Sequence, residues 1–275
     1  MCQILRKVYK VITEEKIEQY IEKIPPMPKT LQATIQLLRE GDLVKSAKIA
    51  KTDNALNAYL KELVNKPIYG FKHEVNELSQ IFGILGVAKA QQAVYSYMVS
   101  LLSPDKWTFF HLNKNSFYSL QAELSVGWQK ILKHLDINDK ELESAIALLP
   151  ASIIVSEALF CEKKEDVLLI RSVEDIDLNT MLKRLCHKDI FDVCAMIASK
   201  WHMSDEIITI VQASSGKKEI ADPQLERLGK WMHLLLFYVL SKPSYVEAEL
   251  NDFIEFNVAY VEDIYEEFAS LMEVA

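Results

Sequence analysis

Apolar residues return every three or four positions along nearly the whole chain, the spacing of one face of an α-helix. Thr13 is placed to cap a first helix, with Glu14 and Glu15 in its first turn and Ile17, Tyr20 and Ile21 on one side. The run IPPMP at 24–28 stops that helix, because each proline disfavours helical geometry at the residue before it. Leu31, Ile35, Leu37 and Leu38 mark the next helix, ending near Gly41, and Leu43, Ala47, Ile49 and Ala50 mark a short one after it. Asp53 or Asn54 caps a helix with Leu56, Leu60, Leu63 and Val64 inward; Asn65-Lys66-Pro67 ends it. Tyr69-Gly70-Phe71 reads as a turn with an aromatic plug. Residues 74–85 are expected to be helical, with Gly86 as the residue just past the helix end, and 88–102 to form a further helix up to Ser103-Pro104.

A second set follows. The pattern predicts a long helix over 112–135 that loosens at Gly127. Asp139 opens another over 141–160, which Pro150 should kink or divide. Short helices are expected at 179–186, 189–202 and 204–214, and longer ones at 222–240 and 246–273. Only 167–173, VLLIRSV, reads as strand. No repeat of 20–50 residues is visible. The fold class predicted is therefore all-α, a non-repetitive multi-helix bundle.

Composition narrows the function classes. The 275 residues carry a formal charge of −8, and no basic patch is segregated: Lys29, Lys45, Lys48 and Lys51 are scattered, and Lys163 and Lys164 lie between Glu162 and Glu165. Nucleic acid is not an expected partner. The longest apolar runs, 232–240 and 146–155, are about half of the ~20 residues that a membrane-spanning helix needs, so no membrane insertion is expected. The N-terminal MCQILRKVYKVITEEK has charges within its apolar stretch, so a signal peptide is not expected and a cytoplasmic location is. The four cysteines, Cys2, Cys161, Cys186 and Cys194, form no C-x-x-C pair; reduced thiols are expected. The six histidines are widely spaced, and no P-loop or G-x-S-x-G is present.

Four features, in this order, resemble the N-terminal half of HDOD domains. They are the proline run with Pro25, Pro26 and Pro28, the helix TDNALNAYLKELVN with Asp53, Leu56 and Asn65, the turn Tyr69-Gly70, and the series Val75, Leu78, Ile81, Leu85 and Gly86. The resemblance continues more faintly to about residue 215 and includes Trp201. Local physics gives these residues structural roles, so they are read as fold-maintaining rather than ligand-binding. The expected organisation is an N-terminal helix at 1–23, an HDOD domain at 24–215 with halves 24–105 and 106–215, and a helical extension at 216–275 packed on the same unit.

The resemblance also implies kinship with HD-type phosphohydrolases, which hold metal through His and a His-Asp pair. Matched by apolar spacing, the family's paired His and Asp fall on Pro150 and Ala151, its later His on Ile190, a His-His pair near Ser214 and Ser215, and an early His near Tyr118. Pro, Ala and Ile side chains offer no electron pair to a metal. No catalytic residue, metal or other cofactor is therefore expected. The resemblance implies a non-enzymatic protein of bacterial signal transduction, working through a protein partner. The amphipathic C-terminal stretch, with Phe253, Phe256, Val261, Ile264, Phe268 and Leu271 among acids that include Asp252, either packs on its own bundle or forms a partner or homodimer surface. The alternatives are a divergent metal-dependent phosphohydrolase and a module that senses a nucleotide or another small molecule.

Overall fold

The helices begin, repeatedly, where an acidic or amide side chain can take up backbone N–H groups that lack a helical partner. In the computed structural model, which describes residues 12–216, 220–251 and 253–273, Asp42, Asp53, Asn113, Asp139, Asp177, Asp189, Asp222 and Asn257 each accept from the first turn of the helix they precede. Thr13 holds the same position before α1 (Glu14–Lys23) without a side-chain bond. The helices α2 (Lys29–Arg39), α3 (Leu43–Ala50), α4 (Asn54–Val64) and α5 (Leu78–Ser100) complete the first half. The second half holds α6 (Lys114–His134), α7 (Lys140–Ser144), α8 (Leu149–Phe160), α9 (Lys164–Glu174), α10 (Leu178–Cys186), α11 (Ile190–Lys200) and α12 (Asp205–Ala213). Then come α13 (Pro223–Leu240) and the short α14 (Pro243–Val246), α15 (Val258–Val261) and α16 (Tyr265–Met272). No strand occurs among the described residues. The expectations for residues 1–11, including Cys2, and for Asp252 lie outside the described residues.

Helix α5 is the pivot. Residues 90–99 are buried on every side, the mark of a core helix. α3 and α4 pack on it from one direction and α7 from another. Its buried polar groups are matched in part across the seam: Gln92 Oε1 accepts from Ser125 Oγ at 2.8 Å, and Gln121 Nε2 donates to the Ser96 carbonyl at 2.8 Å while its Oε1 accepts from Tyr59, but Gln91 Oε1 and Gln92 Nε2 are buried without a partner among the described residues. α13 lies between α6 and α12, and α16 closes over α6 and α13.

Several expectations are corrected. The supposed strand at 167–173 lies within α9: Val167 and Ile170 face inward, three residues apart, and Glu165 and Asp166 occupy the first turn, where acids favour a helix. Residues 74–76 are not helical, because the Asn65 side chain holds Val75 as a strand partner would. Asn65 Oδ1 accepts from the Val75 N–H at 2.9 Å, and Nδ2 donates to the Val75 carbonyl at 3.0 Å. α6 does not loosen at Gly127; a Cβ there would lie 2.5 Å from Leu235 Cδ1, so the missing side chain lets α13 approach. Pro150 divides its segment, one of the two outcomes expected of it. It sits in the first turn of α8, where the missing N–H is no loss, after a 3-10 turn at Ala145–Leu148. The last stretch is not one long helix. It turns at Glu249 (φ 63°) and restarts at α15 and α16, burying Phe253, Val261, Ile264 and Phe268 on the bundle. By length and composition, the consecutive helices over 140–174 could cross a membrane, but 89% of the apolar window is buried inside the protein.

Candidate functional site

The first-half motif residues are joined by backbone contacts. Asp53 Oδ1 accepts from the Ala55 and Leu56 N–H groups. Gly70 and Gly86 take positive φ, 69° and 73°, where a Cβ would be strained. Gly86 leaves helical geometry inside α5. Ile24 ends α1, and Pro28 sits at the start of α2. Trp201, at the end of α11, donates its indole N–H to the Pro25 carbonyl at 3.3 Å, which joins the two ends of the motif series.

Of the positions matched to metal ligands, five share one neighbourhood. Pro150 and Ala151 are enclosed at the start of α8. Ile190 opens α11, which packs on α8. Ser214 and Ser215 follow α12, which packs on α11. Tyr118 is not brought to them. It lies on α6 with its ring edge against Tyr59 at 4.9 Å and the Lys114 ammonium over its face.

Polar groups at and beside these positions are engaged in other bonds. The Ile190 backbone N–H donates to Asn179 Oδ1 at 2.8 Å, and Ser214 Oγ donates to the Ile210 carbonyl at 2.9 Å. His233, the nearby imidazole, is 2% exposed with both nitrogens engaged: Nδ1 donates to the Ser214 carbonyl at 2.9 Å, and Nε2 accepts from the Asn257 N–H at 3.2 Å. That fixes a neutral tautomer and leaves no free lone pair. No cluster of three His, Cys, Asp or Glu side chains able to hold a metal occurs among the described residues. Burial pushes the Cys186 and Cys194 thiols up to about 12, and Cys161 is also raised, by burial and then by Glu157 and Glu162. None of the three is a thiolate at neutral pH.

Residues 24–216 match the family described as the HDOD domain. The chain belongs to the HDOD domain family. Three solved structures share its fold. An HDOD domain protein from Geobacter sulfurreducens superposes with a TM-score of 0.61 at 13% identity, over 98% of each chain. A candidate phosphohydrolase from Shewanella amazonensis SB2B gives 0.62 at 17% identity, over 94% of this chain and 97% of that one. A candidate metal-dependent phosphohydrolase from the same organism gives 0.51 at 12% identity, over 98% and 100%. At such identities the likeness speaks for the fold alone. A search of curated proteins gave no significant match.

Two features of this HDOD chain escaped the sequence reading. Glu157 is 2% exposed and accepts from the backbone N–H groups of Thr108, Phe109 and Phe110, anchoring the segment between α5 and α6. A lone acid in the apolar run 145–160 was the available signal. Asn179 also lines a cavity of about 330 Å³ with Ser215, His233 and Asn257. Nothing in its local sequence marks it.

Proposed function

We propose that this HDOD protein is a non-catalytic regulatory component of bacterial signal transduction, working in the cytoplasm through contacts with a protein partner. The observation that carries the reading is the donor chemistry of α8 and α11: Pro150, Ala151 and Ile190 are buried carbon side chains where a phosphohydrolase of the related kind needs nitrogen and oxygen ligands. With no group there to hold an ion, nothing lowers the pKa of an attacking water. The neutral, doubly bonded His233 supports the same reading, since it has no free nitrogen to act as a base.

Metal analysis of the purified chain, paired with hydrolysis assays on nucleotides, cyclic dinucleotides and simple phosphate esters, tests the non-catalytic half. The expected result is metal far below one ion per chain and no turnover; one ion per chain, or turnover that copurifies with it, overturns the proposal. For the interaction half, affinity capture from the native bacterium should return a specific protein partner, and recovery of none across several conditions counts against it. A second reading, a small-molecule sensor, is favoured by the cavity at Asn179.

A further inference from the structure

The C-terminal crossing leaves a cleft beside α9 and α10. Two cavities meet there, about 870 and 330 Å³, and both are lined by Thr180, Ile254 and Glu255. The smaller one is walled by Asn179, whose residue is only 4% exposed. The Ile190 N–H donates to Asn179 Oδ1, which fixes the orientation of the amide and leaves Nδ2 as the free end. No described residue accepts from that Nδ2. Nδ2 is not sealed in the core; on a residue that lines the cavity, such a donor is matched by an occupant that accepts.

The rim supplies the opposite chemistry. Glu255 is exposed and forms no ion pair with any described residue, and the same holds for Asp175 on the side of the larger cavity. Arg184, also lining that cavity, is already paired with Glu174 at 3.2 Å. Arg171 lines the larger cavity too, but among the residues lining the smaller one Glu255 is the only acidic, Lys or Arg side chain, and its carboxylate suits an ammonium. Phe256 stacks on Phe237 at 4.5 Å and gives the cleft an apolar wall with Ile254.

We propose that this cleft binds a small zwitterion of the amino-acid class. The ligand's ammonium would pair with the Glu255 carboxylate. One carboxylate oxygen would accept from Asn179 Nδ2, with the Thr180 hydroxyl beside it, and the ligand side chain would lie along Ile254 and Phe256. This goes beyond the partner-binding reading and does not depend on it.

The test is thermal shift and calorimetry on the full chain with the twenty amino acids, alongside nucleotides, cyclic dinucleotides and polyamines. One or a few amino acids should raise the melting temperature saturably, since they bind only the folded state. Asn179→Asp keeps an acceptor for Ile190 and removes the donor; Glu255→Gln disturbs no bond among the described residues. Each should weaken binding by roughly tenfold or more, and the second variant serves if the first does not fold. Three results would overturn the proposal: no saturable amino-acid binding up to ~10 mM, tighter binding of a nucleotide or polyamine, or amino-acid affinity unchanged in the variants that fold.

Discussion

Glu157 and Glu143 show how differently two acids fare in one core. Glu157 is enclosed and serves three consecutive backbone N–H groups. Glu157→Ala would leave those donors without their acceptor, two of them, on Phe109 and Phe110, buried, at a cost of about 3–5 kcal/mol, read from chemical denaturation. Glu143 is half-buried with Oε2 unbonded, and desolvation raises its carboxyl above the ordinary 4.5. A raised folded-state pKa contributes stability below the unfolded value of about 4.5 that is lost as pH rises past it. Glu143→Gln should therefore raise the melting temperature at pH 7, and the gain should shrink away by pH 4; an equal gain at both would show that charge is not the cause. One of the two was legible beforehand: Glu157 interrupts an apolar run, whereas Glu143 lies in the ordinary-looking KELES.

At the scale of elements, periodicity located most helices, and local side-chain chemistry decided where it misled. The run 167–173 looks like a strand by composition, yet a strand needs a neighbour to satisfy its backbone, and none occurs among the described residues. The helix expected from residue 74 was displaced by Asn65, ten residues before Val75, a contact that no local pattern encodes. Close helix approach was equally hidden. A Cβ on Gly229 would lie 2.5 Å from the Ala213 Cβ and 2.8 Å from its carbonyl carbon, so α12 and α13 touch there. Helix propensity alone favours Gly229→Ala by roughly 0.5–1 kcal/mol. The contact predicts the reverse, a loss of about 1–3 kcal/mol from overpacking, and thermal unfolding gives the sign directly.

Across the molecule, the C-terminal stretch illustrates the limit of reading amphipathicity. Its apolar residues were visible, but not whether they met this chain or another. In the structure Phe253 and Phe268 are buried, while His134 and Arg227 meet Glu267 and Lys230 meets Asp263 at the surface. Exposed pairs of this kind contribute little, so ~1 M salt should lower stability by less than about 1 kcal/mol. Deleting residues 242–275 should instead abolish cooperative unfolding, because it strips Trp231 and Leu235 of their cover; a sharp two-state transition in the truncated chain would contradict that. The candidate site was only half legible. The absence of donors at Pro150, Ala151 and Ile190 can be read from residue types, but the cleft arises from contacts between α10 and a segment some 75 residues later.

The bond from Trp201 to Pro25 also orders events in time. α1 packs on α8, α10 and α11, so the first described helix to leave the ribosome has its docking surface made much later in the chain. At ~5–20 residues per second, α1 waits on the order of ten seconds or more for α11. Until then its apolar face, Ile17 and Ile21, is open to chaperones and to neighbouring nascent chains. Swift translation or early chaperone capture would favour the yield of this protein more than that of one built from neighbouring segments.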